Sequence, residues 1–451
     1  MTHDPKSTNN NGNVLPEIPE DKDQEKSPAF IAARPGRMVS FAGLIERIIE
    51  QFQDEYGEEG AAVRDATDSE RRKLLRDVAD YVIGVESVQL SREDLLSILQ
   101  TGYSDIFGYG TLDNLFADPT ITTIALEGSN KVSVRYQPGT ELVALDAIFE
   151  DIQQMRRMMQ RLVRDSGATL SEDIPVLEVG LTVAKRPVCL NLAMPPFVIH
   201  PTADIRLHPE TSITLDKLID DDYLTPDAAT FLRALVISEH GFIIVGDTES
   251  GKTTLLSALM QHLASDMKIV SVERAGELRL PENAVRHTVQ WAVENDEDDS
   301  SIEEISFGDC IEKALTDAPD CLVLDEVRAD EPKSIAPLLN NNDVPRQIWS
   351  FRGSVMPMRI RSSLAQLARM AYPAQPEGSV HGLYTRLPFI VIVQRRRGYI
   401  RLRGIAEWQF SENTDYPDFV ELMSVEDGTL QKTGQSASLA LDLPDNFWKI
   451  D

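Results

Sequence analysis

Cysteine is scarce in this 451-residue chain: Cys189, Cys310 and Cys321 stand far apart, form no CxxC pair and leave one thiol over in any disulfide scheme. That count excludes a disulfide framework and suits a reducing compartment. Two of the three sit in apolar or amphipathic stretches, where core packing is the expected role. Positive charge is also short, with 44 Lys and Arg against 73 Asp and Glu for a net charge of −29, which disfavours non-specific attraction to nucleic acid or anionic lipid. No apolar run approaches the ~20 residues that span a bilayer, and LPFIVIV (387–393) is far too short. The N-terminus shows no basic-then-apolar leader. Membrane association is therefore expected only through partners. The seven histidines show no paired ligand spacing, so no zinc site is expected.

At this length the chain reads as two or three domains, with 42% hydrophobic residues for burial. Residues 1–35 are polar and rich in Pro and Asn, the composition of a disordered tail. Over 36–103, Leu44, Ile48, Ile49 and Phe52 share one helical face, as do Leu74, Leu75, Val78 and Val82, and SREDLLSIL opens on a capping-box-like Ser91 and Asp94. A small helical region follows from this. From 104 to 210 the texture is α+β: ITTIAL (121–126) and KVSVRY (131–136) read as strands across a Gly-Ser-Asn turn, and Ile152, Met155, Met159, Leu162 and Val163 as one face of a helix ending near Gly167. The methionine stripe is expected to be core. Strand-like pieces over 179–207 complete this module. From 211 to 425 strand and helix alternate: Thr225-Pro226 starts a helix, FIIV (242–245) is an apolar strand, and KIVSV (268–272), a helix near 307–315 and CLVL (321–324) follow. Continuous apolar strands between helices predict a parallel sheet covered on both faces. Residues 426–451 are expected as a C-terminal tail.

The sharpest local signal is GDTESGKTT. Gly246, Gly251, Lys252 and Thr253 fit GxxxxGK[ST], with a buried strand leading in and a helix leading out, the two flanks that a phosphate cradle requires. The turn Gly246, Asp247, Thr248, Glu249, Ser250, Gly251 aims backbone N–H groups at phosphate oxygens, and the following helix adds the positive end of its dipole. Lys252 supplies a point charge, the Thr253 hydroxyl is a hard ligand for Mg²⁺, and Thr254 closes the run. A carboxylate at the tip of a neighbouring buried strand is the second requirement. Asp325 and Glu326, after CLVL, supply it: Asp325 or Glu326 organises the metal, and Glu326 polarises the attacking water of ATP hydrolysis. Glu249 places an acid inside the loop, where it repels phosphate unless its side chain turns outward. ENDEDD (294–299) lacks the spaced ligands and glycine of a calcium loop and reads as a solvated insertion. Arg395, Arg396, Arg397, Arg401 and Arg403 form a basic cluster suited to acidic neighbours, including another subunit, rather than to nucleic acid.

Several segments, in order, resemble the type II/type IV secretion ATPase superfamily. FGYGTLDNLFADPTITTIAL resembles the opening of that family's N-terminal domain, DIRLHP its interdomain arginine strand, and LTPDAATFLRALVISEHGFIIVGDTESGKTTLLSALM its helix and Walker A segment. VSVERAGELRLP is similar to its acidic box, PDCLVLDEVRADE to its Walker B strand, and PFIVIVQRRRGYIRLRGIAEW to its closing strands. The similarity runs from Phe107 to Trp408 and is nearest the tight-adherence pilus and archaeal-type branch. The fold it implies is a RecA-like P-loop ATPase domain preceded by an α+β N-terminal domain and a helical region. The function it implies is a motor ATPase with ATP and Mg²⁺, a homo-hexamer working on a polytopic membrane platform protein, cytoplasmic at the inner face of the membrane. By the same resemblance Lys252 and Glu326 are catalytic, Glu273 and Glu277 are acidic-box carboxylates, and Arg206 and Arg328 reach phosphate or a subunit interface.

The sequence also departs from that pattern. Glu273 is followed by Arg274 where the family carries an acid, and Leu315-Thr316 stands where it carries leucine-arginine. The family's histidine box falls on Ser350-Phe351-Arg352-Gly353, with no histidine between His287 and His381. Arg352 is the substitute γ-phosphate sensor, but a guanidinium cannot exchange a proton near neutral pH. The alternative reading is thus a catalytically degenerate nucleotide-binding paralogue with a structural or regulatory role in the same machine. A P-loop kinase is a third, weaker reading, since no arginine-rich lid follows the loop.

Overall fold

The computed structural model describes residues 30–32, 38–57, 63, 66–137, 140–146, 148–149, 151–168, 170, 175–290, 305–340, 343–411 and 416–449. Most of the expected N-terminal tail and the whole ENDEDD run lie outside these. Phe30–Ala32, within the span read as a tail, is instead strand β1, paired antiparallel with β2 (Met38–Ser40). The chain forms two compact units, Met1–Gly110 and Thr111–Asp451.

The first unit is helical, with helices Phe41–Tyr56, Asp68–Glu86 and Arg92–Phe107. Each starts on a hydroxyl cap: Ser40, Thr67 and Ser91 accept from the third residue onward, which satisfies an N–H that the helix itself leaves bare. Leu44, Ile48 and Phe52 meet Leu75, Val78, Val82 and Ile98 in one core, the faces that the 3.6-residue spacing marks.

The second unit holds two sheets. One is antiparallel throughout: β3 (Thr123–Glu127), β4 (Val132–Arg135), β5 (Val143–Leu145), β6 (Val176–Val183), β7 (Arg186–Ala193) and β8 (Thr202–Leu207), in the order β5-β4-β3-β8-β7-β6. Helix Ile152–Asp165 buries Met155, Met158, Met159, Leu162 and Val163, so the methionine stripe is core.

The other sheet comprises β9 (Phe242–Gly246), β10 (Ile269–Glu273), β11 (Val285–Thr288), β12 (Cys321–Arg328), β13 (Arg346–Arg352), β14 (Phe389–Arg396), β15 (Tyr399–Gln409), β16 (Asp418–Glu426) and β17 (Thr429–Lys432). Its order is β11-β10-β12-β13-β9-β14-β15-β16-β17, parallel from β11 to β14 and antiparallel beyond. The parallel strands are apolar on both faces because helices cover both. Helices Pro226–Ile237 and Lys252–Met260 cover one side, and Phe307–Thr316, Pro357–Ala371 and Pro376–Arg386 the other. Thr225 caps the first of these with Pro226 in the opening turn. All three cysteines are buried without a disulfide, Cys310 and Cys321 in this packing and Cys189 on β7 of the antiparallel sheet. This is a mixed α/β architecture, a largely parallel sheet covered on both faces with an α+β module ahead of it.

Periodicity predicts a parallel sheet; the antiparallel extension is set by a turn. Arg397 and Gly398 both have positive φ, 51° and 81°, the two-residue geometry that folds β14 straight back into β15. The chain then crosses the expected 425/426 boundary inside the β16–β17 hairpin. Beyond it Leu439, Leu441, Leu443, Phe447 and Trp448 pack on the core. A fully buried carboxylate, Glu407, fastens this stretch by accepting from Ser438 N at 2.8 Å, Ser438 Oγ at 2.8 Å and Leu439 N at 3.0 Å.

Candidate functional site

Strand order sets the site's geometry. β9 lies between β13 and β14, and β13 separates it from β12, so the ends of β9, β12 and β13 present their loops together. β9 is buried along its whole length and delivers Gly246 to the turn before helix Lys252–Met260. Gly246 cannot carry a side chain, because a Cβ there would lie 2.3 Å from Ser250 Oγ and 2.7 Å from Val393 O. Gly251 has φ 89°, the left-handed region, and its carbonyl accepts from Tyr223 Oη at 3.1 Å. Thr248 Oγ1 and Ser250 Oγ are buried with no hydrogen-bond partner among the described residues. Two bare hydroxyls inside a turn of backbone amides are suited to an anion with several acceptor oxygens.

Lys252 is 4% exposed, and its Nζ lies 2.9 Å from Asp247 O and 3.1 Å from Glu326 Oε2. Thr253 Oγ1 donates to Asp325 Oδ2 at 3.3 Å, and Ser350 Oγ on β13 donates to Asp325 Oδ1. The carboxylate pair therefore lies within a strand and not at its tip: β12 continues to Arg328, with its pairing to β13 interrupted between Leu324 and Val327. The interruption lets Asp325 and Glu326 both turn toward the phosphate-binding turn despite being sequence neighbours.

Burial, then the neighbouring carboxylates of Glu277, Glu273 and Glu326, push the Asp325 carboxyl up to about 7. Burial also acts to raise Glu326, but Lys252, Arg328 and Arg352 outweigh it and hold that carboxyl below its usual range. Asp325 ordinarily titrates near ~4, so between pH ~4 and ~7 the unfolded chain has lost a proton that the folded chain keeps. Stability contributed through this group consequently falls as pH rises across that window, on the order of 2–4 kcal/mol. Asp325→Asn is expected to flatten this part of the pH dependence, checked by urea unfolding of the nucleotide-free chain at pH 5 and pH 7.5. A slope as steep as in the parent would place the raised carboxyl elsewhere.

The acidic-box residues divide. Glu277 lies 2.9 Å from His208 Nε2; burial acts to raise it, but His208, the Cys189 thiol and Arg206 bring it down to about 2. Its charge is felt at Asp325. Glu273 is tied down instead, accepting from Ser271 Oγ at 2.8 Å, Leu278 N at 2.9 Å and Arg286 Nε at 2.8 Å. Burial, only partly countered by Arg286, raises it. Arg274, where an acid was expected, reaches away to Glu326 O at 2.9 Å and Glu331 at 2.8 Å.

The structure brings Arg206 into the field of Glu277 and Glu249, with its nearest carboxylate oxygen, Asp204 Oδ2, at 3.9 Å. Arg352 pairs in register with Gly246 and Arg328 across β13, and its charge reaches Glu326. Arg328 Nη2 donates to both carboxylate oxygens of Glu178 on β6, at 2.8 and 2.6 Å, while its Nε donates to Glu326 Oε1 at 3.5 Å. Within this chain it ties the carboxylate strand to the antiparallel sheet. Glu178, His208, Tyr223, Arg135 and Arg395 were not expected at the site. DIRLHP contains His208, but nothing local marks its partner. The two sheets also touch main chain to main chain, since a Cβ on Gly180 would lie 1.6 Å from Ala275 O. A cleft of about 440 Å³ opens beside that contact, lined by Gly180, Arg274, Gly276 and Arg286 rather than by Lys252 or Thr253.

Hard oxygen donors suit Mg²⁺, and Thr253 Oγ1 and Asp325 already share a hydrogen bond with Glu326 adjacent. The residues present fit that ion. Among the described residues no group of three or more His, Cys, Asp or Glu side chains is placed to hold a metal, and no helix is long and apolar enough to cross a membrane.

The family described as type II/IV secretion system protein matches residues 127–338. A Mycobacterium tuberculosis protein named for conjugal transfer is 28% identical over 256 residues, 56% of this chain and 71% of its own length. The type IV secretion system protein VirB11 of Brucella suis is 24% identical over 238 residues, 48% of this chain and 64% of its own. Among solved structures, the ATPase DotB of Legionella pneumophila is 13% identical with a TM-score of 0.46, covering 69% of this chain and 82% of that one.

Proposed function

We propose, from the premise that residues 127–338 belong to the type II/IV secretion system protein family, that this chain is an ATP-binding and hydrolysing motor of a secretion, conjugation or pilus-assembly machine. One observation carries the reading. A turn of backbone amides with two unpartnered buried hydroxyls, a buried lysine and a Thr253–Asp325–Ser350 hydrogen-bond chain converge at the ends of three adjacent strands.

In this reading the turn and the N-terminus of helix Lys252–Met260 bind the phosphates. Lys252 exchanges Glu326 and Asp247 O for phosphate oxygens. Thr253, Asp325 and Glu326 would hold Mg²⁺, which would supply charge neutralisation on the phosphates. Glu326, whose carboxyl Lys252 holds low in the nucleotide-free chain, becomes a stronger base when Lys252 turns to phosphate and accepts a proton from the attacking water. Glu277 and Arg206 line the same region, and Arg352 stands beside Glu326 as a fixed positive charge. Arg328, held by Glu178, passes displacement of β12 to the antiparallel sheet. The narrower assignment, a homo-hexamer of the tight-adherence pilus branch on a membrane platform protein at the cytoplasmic face, rests on the ordered segments between Phe107 and Trp408.

ATP turnover by the purified chain, with its mass in solution with and without nucleotide, tests the motor. Turnover together with a nucleotide-promoted ring supports it. A second reading is favoured by Arg352: a permanently charged side chain stands where the family resemblance called for a histidine, so the chain binds nucleotide and uses it to stabilise an assembly. Binding with hydrolysis at background, even with the membrane partner present, selects that reading.

A further inference from the structure

The fourth residue of the turn, Glu249, has φ 56°, a left-handed conformation that glycine adopts far more readily than glutamate. Its carboxylate is not turned into solvent. Arg135 Nη1, from β4 of the antiparallel sheet, lies 2.7 Å from Oε1, and Arg395 Nη1, from β14, lies 2.6 Å from Oε2. The fork is built to stay in place. Arg135 Nε also donates to Thr140 O at 2.8 Å, Arg135 Nη1 to Thr123 Oγ1 at 3.3 Å, and Arg395 Nη2 to the same Thr140 carbonyl at 3.0 Å. Glu249 is flanked by the two hydroxyls without partners, Thr248 Oγ1 and Ser250 Oγ. Arg206, with a buried Nε that has no partner among the described residues, lies within its field.

Two guanidinium groups from different sheets hold one carboxylate at the lip of a phosphate-binding turn. Guanidinium forks match carboxylate and phosphate equally well in shape, but a phosphate group brings more charge and more acceptor oxygens. We propose that Arg135 and Arg395 form a second phosphate-recognition element, which the Glu249 carboxylate fills in the nucleotide-free chain and from which nucleotide phosphates displace it. The proposal rests on the nucleotide reading above and adds a ligand site spanning both sheets. Glu249 then lowers nucleotide affinity twice, by occupying the fork and by repelling the incoming phosphates.

The test is calorimetric titration of MgATP into the full chain. Glu249→Gln is expected to tighten MgATP binding about tenfold. Glu249→Gly, which suits the positive φ, is expected to show the same gain and guards against a folding artefact in the first variant. Adding Arg395→Gln to Glu249→Gln is expected to abolish the gain, because the fork is then incomplete. Unchanged or weaker binding by both single variants, or a gain that survives Arg395→Gln, overturns the proposal while the parent's own binding leaves the nucleotide reading standing. No binding by the parent or by either single variant overturns both.

Discussion

Lys252→Ala is expected to weaken MgATP binding at least ~100-fold, the loss of two charge-assisted hydrogen bonds to phosphate at roughly 1.5 kcal/mol or more each. Position explains the size of the effect. At 4% exposed, with Nζ between Asp247 O and Glu326, the ammonium is already desolvated at the turn, and bound phosphate gains its full charge by taking the place of those two acceptors. The nucleotide-free variant keeps its fold, because Arg328 and Arg352 remain to balance Glu326. Calorimetric titration of the purified variant, with circular dichroism as the check on folding, measures this. Affinity within threefold of the parent would mean that the turn is not the nucleotide site.

The second large effect concerns Glu326. Glu326→Gln is expected to leave MgATP affinity equal or somewhat higher and to lower turnover by ~100- to 1,000-fold, the range for loss of a positioned proton acceptor. The amide is isosteric and its oxygen still accepts from Lys252, so the scaffold is undisturbed, while the negative charge and the proton-accepting capacity both disappear. Phosphate release at saturating ATP, together with binding by the same preparation, separates the two parameters. Turnover within tenfold of the parent would assign the proton acceptor elsewhere.

The contrast between Lys252 and Arg328 shows what a linear chain reveals. The phosphate-binding turn was legible because all of its parts are consecutive: an apolar strand, glycines at fixed offsets, Lys252, Thr253 and a helix. Asp325 and Glu326 were legible for a similar reason, as acids closing an apolar run. Arg328 was expected at an interface or as a sensor, and the structure places its Nη2 on Glu178, a contact between residues 150 apart. No local pattern encodes such a pair. The same holds for Glu249: its repulsion of phosphate was evident from its place in the turn, but Arg135 and Arg395 arrive from two different sheets. Edge features were hidden for another reason. The β15–β17 extension depends on two positive φ values at Arg397 and Gly398, and only one of those residues is a glycine.

Glu407 has a practical bearing on how the protein is handled. Its carboxylate is fully buried and accepts from Ser438 N, Ser438 Oγ, Leu439 N and Gln409 Nε2. Trimming the chain upstream of Ser438, as domain-minimising experiments tend to do with an end segment, would remove all of these donors but Gln409. A shortened version that precipitates would report on that half-satisfied carboxyl group and say nothing against the nucleotide site.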